Sequence, residues 1–286
     1  MNGEPLVRTF DTPARIDLYV ENGAGRIAVV ATDTTTTHVL VAGHRAEEVT
    51  ITRDRYQISV LAPKGRGGLF RGDSSLDIEV EVPLGSRLIA KSGSADVDVT
   101  GEVGETKVKC GSGQVRVERV AGDAVLDTGS GDLEVGSVSG ALKVRSGSGA
   151  VGVGATAGTT SISSGSGDIR IGRAAGSVVV KTGSGDLEIQ ESECDVATST
   201  GSGAVAVRNA RRGRISAKGA SGDILVGVPA GTPVWTDIST VSGRVRLDAA
   251  VGGRAGAGCG PRRGAGDDRV RERRARPCVT VVTARR

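Results

Sequence analysis

Two carboxylates spaced two residues apart are the side chains in this chain that come nearest to doing chemistry. Asp132 and Glu134 make one such pair, Asp186 and Glu188 another. Carboxylate pairs are what hydrolysis of a glycosidic bond uses, one as acid and one as base or nucleophile. Solenoid hydrolases gather such groups into clusters, whereas here Asp and Glu are distributed along strands, and a solvated outer face accounts for them. A nucleophilic mechanism fares no better. Only two histidines exist, His38 and His44, both near the N-terminus, and the many serines sit in glycine turns that the fold itself explains. No residue is assigned as catalytic, cofactor-binding or metal-binding, and no cofactor is implied.

Two patterns imitate ligand sites. Gly147-Ser148-Gly149-Ala150-Val151-Gly152 has the letters of a dinucleotide fingerprint. That fingerprint needs a helix N-terminus to hold the pyrophosphate, and here a strand follows. Calcium-binding β-rolls are also glycine-rich, but their Asp stands two positions after the second glycine of Gly-x-Gly. In this chain Asp132, Asp168, Asp186 and Asp223 follow that glycine immediately, and Gln114, Ala150, Ala204 and Arg244 replace it elsewhere. Calcium takes six to eight oxygens. A broken column of single Asp residues reads instead as turn chemistry, each side chain bonding a local backbone amide.

What positions all of these residues is a repeat. Gly93-Ser94-Ala95-Asp96-Val97-Asp98-Val99 returns from Gly111, Gly129, Gly147, Gly165, Gly183 and Gly201, each time 18 residues on. Looser copies follow at Ser221–Val226 and Ser242–Leu247. A short fixed period marks a solenoid. Each unit carries Gly-Ser-Gly, two alternating apolar positions, a further glycine, and two more alternating apolar positions. The fold class expected is all-β: a single-stranded parallel β-solenoid (β-helix) of 18-residue coils with two short strands per coil, glycine corners of positive φ, and a thin aliphatic core. One extra residue falls within Asn209–Arg212. Val82-Pro83-Leu84-Gly85-Ser86 and Val228-Pro229-Ala230-Gly231-Thr232 bracket the array as opening and closing elements.

Three regions follow from this. Residues 1–91 form an N-terminal β cap with the first strands, expected over Ile16–Val20, Arg26–Ala31, His38–Ala42, Val49–Thr52, Gln57–Leu61 and Leu76–Val82, with a mobile loop at 63–68. Asn22–Val29 already resembles the later repeat. Residues 92–247 are the solenoid. Residues 248–286 are an Arg- and Gly-rich disordered tail in which only Val279–Thr283 has a strand pattern; a frameshifted last coil is the competing reading.

Charge and composition narrow the function classes. The chain has a formal net charge of +4, but ten Arg against three acids in residues 254–286 give the tail +7, leaving the body mildly acidic at −3. That tail lacks aromatic interleaving, so no specific nucleic-acid recognition is expected. Sugar platforms would need aromatics, and only Trp235 lies near the array; it reads as a packing plug at the terminal coil. No apolar run is long enough to span a membrane, and no secretory signal opens the sequence, so the expected location is cytoplasmic, with envelope association left open. Cys110, Cys194, Cys259 and Cys278 match no zinc or redox spacing. Cys110 takes a turn slot otherwise held by Ser or Thr and Cys194 one otherwise held by Gly. At about 4.8 Å per coil these two are roughly 20 Å apart, beyond disulfide reach. All four read as free thiols.

The serial Ser-Gly-x-Gly-Asp-[Val/Leu/Ile]-x-[Val/Ile] units, with Val228–Gly243, resemble a bacterial β-strand-repeat or "putative adhesin" family of unknown function, toast-rack-like, and most of all its soluble actinobacterial-type members. The resemblance covers residues 16–247. It implies a β-solenoid and a surface or envelope role, and it brings no catalytic residues. The expected function is therefore a non-enzymatic, adhesin-like structural or protein-interaction scaffold, its partner a protein or a second copy meeting the solenoid edges. The competing readings are an envelope-stress-associated or ligand- or metal-binding module, and a carbohydrate-active solenoid enzyme.

Overall fold

A computed structural model describes residues 4–63, 75–232, 234–239 and 279–284, with residues 235–239 and 279–284 described by their backbone alone. The loop at 64–68, the copy at Ser242–Leu247, the competing last coil and the Trp235 side chain lie outside the described residues. The described chain is nearly all β, with one three-residue 3-10 turn at Ala46–Glu48.

The strands are β1 (Leu6–Asp11), β2 (Asp17–Asn22), β3 (Gly25–Thr32), β4 (Thr36–Gly43), β5 (Thr50–Asp54), β6 (Gln57–Leu61) and β7 (Leu76–Pro83). The repeat supplies β8 (Arg87–Ser92) with β9 (Asp96–Val103), β10 (Thr106–Cys110) with β11 (Val115–Val120), and β12 (Ala124–Thr128) with β13 (Leu133–Val138). It continues through β14 (Leu142–Ser146) with β15 (Val151–Thr156), β16 (Thr160–Ser166) with β17 (Ile169–Ala174), and β18 (Val178–Ser184) with β19 (Leu187–Ser192). The last coils hold β20 (Val196–Ser202) with β21 (Val205–Ala210) and β22 (Gly213–Ser221) with β23 (Ile224–Val226), followed by β24 (Val234–Ser239) and β25 (Val279–Ala284).

Each coil places its first strand in one sheet and its second in another, giving a β-solenoid. The back sheet runs β24-β25-β22-β20-β18-β16-β14-β12-β10-β8-β2-β6-β5, and the front sheet β1-β4-β7-β3-β9-β11-β13-β15-β17-β19-β21-β23. All pairs from β8 to β23 are parallel, and equivalent residues stack: Val115 on Leu133, Leu133 on Val151, Val151 on Ile169. In one coil Leu133, Val135, Val138, Leu142 and Val144 point inward and are buried. Two residues, Gly136 and Ser137, separate the second and third of these inward positions, so the strict alternation shifts by one there.

The N-terminal end departs from simple stacking. β2 and β3 form a coil directly beneath β8 and β9. β6 and β7 form another, parallel to β2 and β3 on their far side, so the chain doubles back before the array begins. Antiparallel strands then close that end: β4 on β7 and β1 on β4 in the front sheet, β5 on β6 in the back sheet. β1 was not expected from sequence. It is an edge strand with little buried surface and so lacks the apolar alternation that reveals the others. At the opposite end β25 lies between β22 and β24, parallel to both, so the segment Val279–Ala284 completes the back sheet.

The irregularities have local causes. Val99 stacks on Val117, but Glu102 stacks on Arg119, which leaves an extra residue in β9 at Thr100-Gly101. Gly101 has φ +85, the conformation that such a bulge requires of its glycine. The later extra residue falls between Ala210, which stacks on Ser192, and Ile215, which stacks on Val196. In the opening and closing elements, the Ser86 N–H donates to the Pro83 carbonyl and the Thr232 N–H to the Pro229 carbonyl, both at 3.2 Å. Gly85 (φ +72) and Gly231 (φ +80) take the third position, so both elements are the same type II turn.

Candidate functional site

Surface columns are what stacking creates. Because coils repeat in register, each outward position becomes a row running along the solenoid.

The Asp column lies at the corner leading into the front sheet. Asp96 Oδ1 accepts the N–H of Gln114 at 2.8 Å, Asp132 that of Ala150 at 2.9 Å, Asp168 that of Asp186 at 3.0 Å, and Asp186 that of Ala204 at 2.8 Å. A matching pair of bonds stands at the other corner, Asp123 to the Ala141 N–H and Asp195 to the Arg214 N–H, both 2.8 Å. The expected turn chemistry is corrected in one respect: the amide belongs to the next coil, not to the local turn. Parallel stacking puts the next coil's equivalent amide within reach. Among the described residues no three His, Cys, Asp or Glu side chains converge as a metal site.

Inside that corner runs a column of donors. Thr128 Oγ1 donates to the Gly131 carbonyl and Ser146 Oγ to the Gly149 carbonyl, each at 3.1 Å. From Ser164 onward the acceptor moves one residue closer, as when Thr182 donates to the Ser184 carbonyl at 2.9 Å. Cys110 stands in this column, its Sγ 3.2 Å from the Gly113 carbonyl. Asn22 fills the same slot in the earlier coil and donates to the Leu76 carbonyl at 2.8 Å. The switch of acceptor coincides with a switch of corner. Gly167, Gly185, Gly203 and Gly222 have positive φ, whereas Gly113, Gly131 and Gly149 do not. The expectation of positive φ therefore holds in the later coils and at Gly25 in the first coil, but not in the earlier repeat coils. In the earlier ones glycine is required by proximity, since a Cβ on Gly131 would stand 1.9 Å from the Gly113 carbonyl oxygen.

The carboxylate pairs are committed elsewhere. Asp132 and Asp186 hold amides, while Glu134 pairs with Arg116 at 3.0 Å and Glu188 with Arg208 at 2.8 Å. The hydrogen bond from Arg208 holds the Glu188 carboxyl below its usual range, and that from Arg173 does the same for Glu193. Between Glu134 and Arg170 the small Gly152 leaves a shallow depression, lined also by Val135, Gly136, Val153 and Gly154. A second depression lies at the N-terminal end among Pro13, Arg15, Asp33, Thr35 and Leu84. His38 is exposed on β4, its Nδ1 3.0 Å from Thr9 Oγ1 and its Nε2 3.1 Å from Thr36 Oγ1. Cys110 and Cys194 are buried free thiols, and burial pushes the Cys194 thiol up. Cys259 and Cys278 lie outside the described residues.

The back face differs in charge. Its two central outward columns carry Lys107, Lys109, Lys143, Arg145, Lys181 and Lys218, all exposed. The composition-level view of a mildly acidic body missed this face, because averaging over the chain hides which column a charge occupies. Lys91, at the end of the row, sits 5.2 Å over the Tyr19 ring. No helix among the described residues is long and apolar enough to cross a membrane.

Stacked coils, hydroxyl and Asp ladders, and long charged outer rows define a β-solenoid. Within that class the chain belongs to the Toastrack DUF4097 family, whose pattern matches residues 14–255. Among curated proteins none matches the sequence. Solved structures that resemble it include a "putative adhesin" from Parabacteroides merdae, at 13% identity and TM-score 0.37, covering 79% of this chain and 95% of that one. Another is a "putative lipid binding protein" from Parabacteroides distasonis, at 12% identity and TM-score 0.42, covering 79% and 94%. A "putative cell adhesion protein" from Clostridium sporogenes matches at 9% identity and TM-score 0.24, covering 79% and 100%. Likenesses this distant carry no functional weight.

Proposed function

We propose that this protein is a non-enzymatic, adhesin-like interaction scaffold that works through its outer faces. One observation carries the reading. The carboxylates best spaced for chemistry, Asp132/Glu134 and Asp186/Glu188, are bound up in coil-to-coil amide bonds and arginine pairs. The regular outward rows meanwhile present the same chemistry over many coils, as polyvalent contact requires.

The experiment is a two-part assay of the purified chain. Hydrolysis is measured on a panel of glycans, and thermal stability is measured with and without calcium. No turnover and no saturable calcium shift are expected. Glycan cleavage that disappears in Asp132→Asn or Glu134→Gln would overturn the reading, and so would saturable calcium stabilisation.

A further inference from the structure

We propose that the outer face of the back sheet docks on an anionic lipid bilayer. This rests on the scaffold reading above and adds which face acts and what it meets.

From β8 to β22 the two central outward columns hold Lys107, Lys109, Lys143, Arg145, Lys181 and Lys218, and none of them has an ion-pair partner among the described residues. One acid, Asp127, stands in these columns, between Lys109 and Arg145. The acids at the bordering corner are already engaged: Glu105 with Arg87 at 2.7 Å, Asp123 and Asp195 with backbone amides. The front face is the contrast. Arg116, Arg173, Arg208 and Arg211 each meet a Glu there within 3.0 Å.

Like charges on adjacent strands oppose folding, and Lys109 lies directly opposite Lys91. A row kept unpaired at that cost fits a partner of opposite charge. The spacing of eight strands makes the row about 34 Å long. The same columns also expose Ile89 (40%) and Val179 (39%), each two residues from a lysine on its own strand. Lysine stems laid along such residues with their ammonium groups outward suit the headgroup region of a bilayer. A single-stranded nucleic acid would instead want aromatic platforms. Tyr19 is the aromatic in line with these columns, stacked on Ile89, and Lys91 lies over its ring.

The test is co-sedimentation of the full chain with vesicles of phosphatidylcholine alone and of phosphatidylcholine with one-third phosphatidylglycerol. Binding is expected only to the anionic vesicles, strong at about 0.05 M salt and lost at about 0.5 M. The triple variant Lys109→Glu, Lys143→Glu, Lys181→Glu should bind at least about 30-fold more weakly. The front-face triple Arg116→Glu, Arg119→Glu, Arg170→Glu, with the same change in net charge, should stay within about threefold of the parent. If the first triple fails to fold, the Lys→Gln versions at the same positions carry the test. Equal losses in both triples overturn the proposal, as does vesicle binding that ignores the back face, or binding to single-stranded DNA and not to vesicles. Those outcomes leave the scaffold reading intact, whereas glycan hydrolysis would sink that reading independently.

Discussion

Asp132 Oδ1 accepts the backbone N–H of Ala150 across the gap between consecutive coils, at 2.9 Å. The two residues occupy one position of the repeat, so the bond ties each coil to the next rather than closing its own turn. Asp132→Ala removes the acceptor, while Asp132→Asn keeps a carbonyl oxygen in its place. Chemical denaturation should show the Ala variant destabilised by about 0.5–1.5 kcal/mol and the Asn variant by clearly less. Equal stability of Asp132→Ala and the parent would remove the ladder from the account of stacking.

Two glycines of adjoining coils should respond oppositely to the same methyl group. A Cβ on Gly131 would stand 1.9 Å from the Gly113 carbonyl oxygen, a backbone atom held by its own coil. On Gly152 the nearest atoms are Glu134 Cγ at 3.6 Å and the Leu133 carbonyl oxygen at 3.8 Å, ordinary contact distances. Gly131→Ala should cost about 2–3 kcal/mol as the corner is forced apart. Gly152→Ala should be neutral or slightly stabilising, since alanine has less backbone entropy to lose. Thermal melts of the two variants side by side decide it, and a tolerated Gly131→Ala would mean that the corners are looser than drawn.

Much of this was legible beforehand because the repeat is carried by residue types that stacking makes interchangeable. Cys110 could be assigned to a Ser/Thr slot by register alone, and its Sγ does meet the Gly113 carbonyl. The pairing of Ile27 with Val97 likewise follows from the early repeat at Asn22–Val29. What the sequence hid was long-range. Nothing local says that β6 and β7 stack beneath β2 and β3, because that order depends on which edge the returning chain meets first. The partner of each Asp side chain was also hidden, since a local amide and the next coil's amide are indistinguishable until coils are stacked. The basic back face was lost in a net charge that sums both faces.

Acid should weaken the front-face pairs. Glu188 and Glu193 are held below their usual values by hydrogen bonds from Arg208 and Arg173. A carboxyl lowered in the folded state adds stability that is fully present above its unfolded value, about 4.3, and is lost as pH falls through the folded value. Melting temperature should therefore hold steady down to about pH 5 and then decline. In Glu193→Gln the decline should be shallower, because one of the titrating pairs is gone, and added salt should flatten it in the parent. A variant with an unchanged acid slope would show that Arg173 and Glu193 do not contribute to folding in solution.

Thr160 offers a change in the stabilising direction. Its side chain is fully buried, its Oγ1 has no hydrogen-bond partner, and its neighbours in the stack are Leu142 and Val178. A buried hydroxyl without a partner keeps its desolvation cost and gains nothing in return. Valine has the same shape, favours the strand at least as well, and continues the aliphatic row that the neighbouring coils already form. Thr160→Val should raise stability by about 1 kcal/mol. Thr160→Ser, which keeps the hydroxyl and opens a methyl-sized void, should lower it by a similar amount. Denaturant midpoints measured on the two variants give opposite signs if the row is dry. Destabilisation by valine would show instead that the hydroxyl has a partner in solution.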